Sequence, residues 1–420
     1  MRRSLLICTA WIRLCSALGA THLTKTHPDL VCPFLSVGAW PSCPVEMPDI
    51  IGDGGVSDNG SEWYRSDKCH QVGSEVFCAF TQPSFNAGHG IALVTTAETL
   101  QEMASLHVFT DPREQMFGWM QSAGPAYREE QIPGKGIGLV AKRLLRTNEA
   151  FLNRAPIVMV DGIAFKRLGR ARLTELLTQA VADLPETYQA EYLNLTTHID
   201  VETHQQRVYE IFMKNDFVTS VKDNLEFHSV FPQVSRLNHA CRPNSKYTFD
   251  ASMLTQSVFA AREISPGEEL TVTYFDSIQT RSQRQLLSKH GWGFECTCPH
   301  CSASEEAILE SDGRVEQILT LQRDLDDYSA TSTASPEKAE LLVKLFESEG
   351  LVTRMVEAYY RAAIEYNSVG SAGEAVRFAT LCIEEGKVLE NSIGPFINNM
   401  RELARDPRAH WTWRFRLKAG

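Results

Sequence analysis

The sequence predicts an α+β fold, on two observations. Short apolar runs bounded by Gly, Pro and Asn read as strands, in Gly134–Val140, Phe151–Asp161 and again up to Tyr274. Helical periodicity fills the stretch from Phe165 to about Phe217 and returns after Cys301. A chain of 420 residues has room for two or three domains, and 43% hydrophobic with 22% charged residues is the balance of a folded protein. The net charge of −11 argues against a general nucleic-acid binder, which needs a basic surface. It favours basic partners such as Lys/Arg-rich protein tails.

Met1 to about Ala20 has the form of a secretory signal: Arg2 and Arg3, an apolar run from Leu5 to Ile12, then small residues at Ala17–Ala20. Arg13 interrupts the run, and the alternative is a start without that role. The run is too short to span a bilayer, and no other stretch is a transmembrane candidate. Residues 21–130 are expected to form a loop-rich N-terminal region. Its Cys32, Cys43, Cys69 and Cys78 fit two disulfides or four inert thiols.

Within that region GHGIALV (Gly88–Val94) echoes GKGIGLV (Gly134–Val140). Each suggests a glycine turn feeding a strand. GKGIG has no following Ser or Thr and no clear strand before it, so it is not a phosphate loop. It can let backbone pass close to a ligand. In the helical stretch, Leu173, Leu176, Leu177, Ala180 and Val181 form a buried stripe, Pro185 starts a second helix, and a third runs from about Val201 to Met213. After Cys301, Ser329–Ala339 reads as a polar linker. Helices at about Thr353–Asn367 and Ser371–Leu389 have the small/aromatic alternation of a tetratricopeptide-like hairpin, with Cys382 in its core.

The richest chemistry lies between Ser235 and Cys301. Cys296, Cys298 and Cys301 fall within six residues, a spacing that suits thiolates converging on a tetrahedral Zn²⁺ better than a disulfide. Cys241 is the expected fourth ligand, with His300 as its competitor. Asn238 and His239 precede Pro243, and Tyr274 ends the strand-like ELTVTY. Taken singly, each of these is more often structural.

In combination and in order, GKGIGLV, RLNHACRPN (Arg236–Asn244), GEELTVTYFD (Gly267–Asp276) and GFECTCPHC (Gly293–Cys301) resemble the SET-domain protein lysine methyltransferases. The resemblance covers about Pro133 to Cys301. It is similar above all to the SMYD-type and fungal-type members with a split SET domain and a helical tail. No cysteine lies between Val140 and Asn238, so no MYND finger is inserted.

The resemblance implies a knot-like β fold over residues 131–276 with a helical insert at about 165–217. A post-SET zinc segment (277–303) and a helical region (304–420) would follow. S-adenosylmethionine would lie along Lys135, Gly136 and Ile137, hydrogen-bond to Asn238 and His239, and stack on Phe294. Tyr274 would be the catalytic tyrosine. Phe217, with Asn215 beside it, and Trp292 would line the lysine channel. The implied partner is a lysine-containing protein, histone or other, with no direct nucleic-acid contact. The alternatives are a catalytically silent SET scaffold, a methyltransferase acting on a free or non-histone lysine or on a broader range of amines, and a secreted protein with an oxidised cysteine cluster. The signal-like start leans towards the secretory pathway; the thiolate site and a cytosolic cofactor lean towards nucleus or cytoplasm.

Overall fold

A computed structural model describes residues 63–110, 126–197, 199–222 and 225–418. The signal-like start, Cys32 and Cys43 lie outside the described residues. Among the described residues thirteen strands run β1 Tyr64–Val72, β2 Glu75–Gln82, β3 Ile91–Thr95, β4 Tyr127–Ile132, β5 Gly136–Ala141, β6 Ala150–Arg154, β7 Val158–Asp161, β8 Asp216–Lys222, β9 Leu225–Val230, β10 Asn238–His239, β11 Ser245–Asp250, β12 Thr255–Ala260 and β13 Glu269–Val272. They form a six-stranded sheet ordered β1-β2-β3-β7-β9-β8, a four-stranded sheet ordered β10-β13-β5-β4 and a three-stranded sheet ordered β11-β12-β6.

Within the expected loop-rich N-terminal region, the described residues 64–95 instead supply three strands of the six-stranded sheet. VFCAF and IALV are apolar without a break because both faces of the sheet are covered. The strand period of two sorts them. Phe77, Ala79, Ala92, Val94, Val158 and Val160 pack on one side with the helical stretch, while Phe80, Leu93 and Met159 pack on the other. Cys69 and Cys78 face each other in register and are disulfide-bonded.

The echoed glycine segments do each feed a strand. Gly90 (φ 75°) precedes β3 and Gly134 (φ 75°) precedes β5, but the two strands belong to different sheets. A strand does precede GKGIG: β4 pairs antiparallel with β5, so the glycines are the turn of a hairpin. β4 has no apolar alternation to read, because Arg128–Gln131 are exposed on both of its faces.

The helices of the insert are α2 Gly162–Arg167, α3 Gly169–Ala182, α4 Glu186–Leu193 and α5 His204–Asn215; α1, Ala97–Ala104, lies upstream. Asp161 caps α2 by accepting from Ile163 N, and Thr203 caps α5 through Gln206 N. α5 passes directly into β8, which sets Asn215 and Phe217 at the junction.

Beyond α6 (Arg281–Leu287) come α7 Glu305–Leu325, α8 Pro336–Ser348, α9 Met355–Ser368, α10 Ala372–Gly386 and α11 Glu390–Arg405. The polar linker is shorter than expected, because Ser335 caps α8 by accepting from Lys338 N and Pro336 opens it. The expected hairpin is α9–α10, and it shares one core with α7, α8 and α11 that includes Cys382, Phe346 and Met400. No helix among the described residues is long and apolar enough to cross a membrane.

Candidate functional site

The site begins at a two-residue parallel pairing. Asn238 and His239 lie beside Thr271 and Val272 of β13. So short a ladder needs help, and Asn244 supplies it. Its Oδ1 accepts from Thr271 N at 2.9 Å and its Nδ2 donates to Glu269 O at 2.8 Å. The Asn238–His239 box and β13 are thereby held in register, which places His239 next to Tyr274 just past the strand.

His239 is fixed at both ring nitrogens. Its Nδ1 accepts from Tyr274 N at 3.1 Å, so Nε2 carries the proton and faces Cys241 Sγ at 3.4 Å. Tyr274 donates its hydroxyl to Leu237 O at 2.9 Å. Burial, with Glu269 adding to it, pushes the Tyr274 phenol above its usual range, so it stays protonated. Asn238 Nδ2 donates to Glu269 Oε1 at 3.0 Å, and Lys135 Nζ reaches Glu269 Oε2 at 2.6 Å. Gly138 makes room for this arrangement. A Cβ there would sit 2.6 Å from Asn238 Nδ2.

Cys241, Cys296, Cys298 and Cys301 are all buried, and their sulfurs lie within 4.8 Å of one another. The Cys241 sulfur is 3.8 Å from that of Cys296 and 3.5 Å from that of Cys301. A tetrahedron with Zn–S bonds of about 2.3 Å has edges of about 3.8 Å, so the four thiols fit such an ion. Hydrogen bonds, from Cys241 first, pull Cys298 far below the usual thiol range, while Cys296 drives Cys241 up. His300 is not in the cluster; its Nε2 faces Ser311 Oγ at 3.1 Å.

Two cavities meet at Tyr274. One, of about 260 Å³, is lined by Gly134, Gly136, His239, Phe294 and Cys296 among others. The other, of about 230 Å³, is lined by Phe217, Tyr247, Phe249 and Phe275, and by Arg354 and Ile393 of the C-terminal helices. Lys135, Thr196, Asn238 and Tyr274 border both.

The structure therefore brings together Lys135, Gly136, Asn238, His239, Tyr274 and Phe294 on the first cavity, and places Ile137, Asn215 and Phe217 on the second. Trp292 is buried behind Tyr274, with ring centres 5.6 Å apart, and also packs on Phe275. Sequence reasoning missed Glu269, Thr196, Tyr247 and Phe249. Glu269 had one available signal, an acid at the first position of ELTVTY that matches the charge of Lys135.

Residues 136–275 match the family model for the SET domain. Over these residues the chain is similar to SET domains. Over 198 residues it is 27% identical to the histone-lysine N-methyltransferase set5 of Schizosaccharomyces pombe, covering 47% of this chain and 57% of that one. It is 35% identical over 77 residues to the histone-lysine N-methyltransferase SMYD3 of Homo sapiens, 18% of either chain. It is 33% identical over 86 residues to the human protein-lysine N-trimethyltransferase SMYD5, 20% of this chain and 21% of that one. The chain thus spans little more than half of the set5 protein and about a fifth of the two SMYD proteins. The matched SET domain contains the Asn238–His239 box and Tyr274, while the cysteine segment follows it.

Proposed function

We propose that the chain is an S-adenosylmethionine-dependent protein-lysine N-methyltransferase. The observation that carries this reading is the pair of cavities sharing Tyr274, one polar and glycine-lined, the other aromatic-walled. Residues 131–276 would be the SET domain, 277–303 the post-SET segment and 304–420 the helical region. Lys135, Gly136, Asn238, His239 and Phe294 would hold S-adenosylmethionine, which supplies a sulfonium methyl already activated for transfer. Cys241, Cys296, Cys298 and Cys301 would hold a structural Zn²⁺, keeping Phe294 and Cys296 on the cofactor cavity.

The chain's own groups then have defined tasks. Phe217, Tyr247, Phe249 and Phe275 make an apolar wall that disfavours an ammonium and lowers the pKa of an incoming lysine. Tyr274, tethered to the Leu237 carbonyl, positions the neutral amine at the junction of the cavities. Because it stays protonated, Tyr274 orients the amine and does not serve as its base. Trp292 supports the Tyr274 ring from behind. The acidic charge of the chain favours a Lys-rich protein substrate, histone or other.

Calorimetry with S-adenosylmethionine, followed by labelled-methyl transfer to peptide arrays, tests the proposal. Binding and transfer to lysine are expected. Binding without transfer to any peptide or protein would leave a silent scaffold, and absence of cofactor binding would sink the reading.

A further inference from the structure

Away from both cavities, one buried carboxylate joins three distant segments. Glu349 follows α8, and its side chain is 0% exposed. Arg242 reaches its Oε2 at 2.7 Å, Arg314 Nε reaches its Oε1 at 2.6 Å, and Ser311 Oγ donates to Oε2 at 2.9 Å. His300 Nε2 stands 3.5 Å from the same oxygen.

The partners show what this joins. Arg242 follows Cys241 and lies three residues after His239. It also donates to the carbonyls of Cys241 at 2.9 Å, Ser277 at 3.1 Å and Glu349 at 2.6 Å. His300 sits between two cysteines of the cluster. Ser311 and Arg314 belong to α7. Gln285 also grips the cysteine segment, with bonds to Cys296 N at 2.9 Å and Cys296 O at 2.8 Å, but from a neighbouring helix of the same stretch. Glu349 ties the turn after the Asn238–His239 box to α7 and reaches the cysteine segment through Ser311, whose hydroxyl also meets His300 Nε2 at 3.1 Å.

We infer that Glu349 is a positioning residue for the cofactor cavity, which ties α7 and the turn after α8 to that site. The inference rests on reading the cavity as the S-adenosylmethionine site and the cluster as a zinc site. Without the carboxylate, two guanidinium groups face each other in a poorly hydrated space. Each then turns toward water, and Arg242 takes with it the turn that carries Cys241.

The test uses the full chain with Glu349→Gln, which keeps the shape and removes the charge. Phe346→Leu in α8, a fully buried core position, is the control for simple destabilisation. Zinc release to a chromophoric chelator and S-adenosylmethionine affinity by calorimetry are measured for both, alongside thermal unfolding. E349Q is expected to release zinc about tenfold faster and bind S-adenosylmethionine about tenfold more weakly, the low end for partners behind a metal ligand. Phe346→Leu is expected to lower the unfolding temperature and leave both readouts unchanged. Wild-type zinc release and cofactor affinity in a folded E349Q would overturn the inference, as would equal changes in the control. If E349Q does not fold, Arg314→Gln, with its side chain 32% exposed, reads the same coupling. If the wild type binds no S-adenosylmethionine, the proposed function fails, and the zinc-release ratio alone decides the role of Glu349.

Discussion

The two cavities that meet at Tyr274 are built in different ways. The glycine-lined one draws on three short stretches, Gly134–Gly136, Asn238–His239 and Phe294–Thr297, with Thr196 closing one side. Its groups are held by hydrogen bonds with fixed partners, such as Asn238 to Glu269 and His239 to Tyr274 N. The aromatic one is assembled from residues as far apart as Lys135 and Ile393, and its outer wall belongs to the C-terminal helices. There Arg354 bridges Asp276 and Glu357, and Thr248 meets Ser392 at 2.6 Å. A site that always meets the same small molecule can be made from short motifs with fixed polar partners. A cleft for a protein chain needs a wide wall, which only separate elements docked together provide.

Tyr274 is the point where this contrast is most easily broken. Tyr274→Phe removes the hydroxyl but keeps the ring. Methyl transfer is expected to fall roughly 10²-fold, the scale for loss of one preorganised polar group. S-adenosylmethionine affinity should stay within a factor of two or so of wild type by calorimetry, since one hydrogen bond to Leu237 is modest. Near-normal turnover would remove Tyr274 from the mechanism.

Cys241→Ser tests whether the glycine-lined cavity depends on the cysteine cluster. Bound zinc, measured by metal analysis, is expected to fall well below one per chain, with cofactor affinity weakened by at least about tenfold. A variant that keeps both would show that Cys241 does not staple the box to the cysteine segment.

Gly138→Ala acts on the same cavity through sterics. The new Cβ would meet Asn238 Nδ2 at 2.6 Å and Ile132 Cγ1 at 2.7 Å. Overpacking of this kind costs about 1–3 kcal/mol, and displacement of Asn238 should weaken S-adenosylmethionine by about tenfold. Phe249→Leu sharpens the other side. It trims the aromatic cleft, so the KM for a protein substrate should rise a few-fold, within the roughly 1.5 kcal/mol of a conservative apolar swap. The S-adenosylmethionine Kd should not move.

The smallest effect concerns pH. Burial alone would raise the Glu349 carboxyl, but Arg242 and Arg314 outweigh it and hold it below its usual value. A depressed folded pKa gives stability that is complete above the unfolded value of about 4.3 and fades as pH falls through the folded one. Between about pH 5 and pH 3, the unfolding temperature of wild type should therefore drop more than that of E349Q. Parallel curves would mean that the charge of Glu349 adds nothing to folding.

Much of the glycine-lined cavity was legible in the sequence through the motifs that carry the family resemblance, and its glycine turn and cysteine knuckle through spacing alone. Gly134 and Gly136 announce a turn, and three cysteines within six residues announce a cluster. The six-stranded sheet was less legible. Its strands come from residues 64–95, 158–161 and 216–230, and a strand buried on both faces has no alternation to read. The hairpin strand before GKGIG was hidden because its run of polar residues is exposed on both faces and leaves no apolar pattern.

By itself, then, the sequence indicated the α+β class, the helical insert and tail, the four-cysteine cluster and the grouping of Asn238, His239 and Tyr274. Local spacing suffices for the turns, the caps and the Cys296–Cys301 knuckle, which neighbours make, whereas Cys241, 55 residues before Cys296, was chosen as the nearest unassigned cysteine and the Asn238–His239–Tyr274 grouping came with the family resemblance. Only the tertiary structure decided that Glu269 answers both Lys135 and Asn238, that Trp292 stands behind Tyr274, and that Tyr247 and Phe249 wall the second cavity. It also decided that Glu349 meets Arg242 across 107 residues. Such pairings depend on how whole elements dock, and no residue carries the identity of a distant partner in its own neighbourhood.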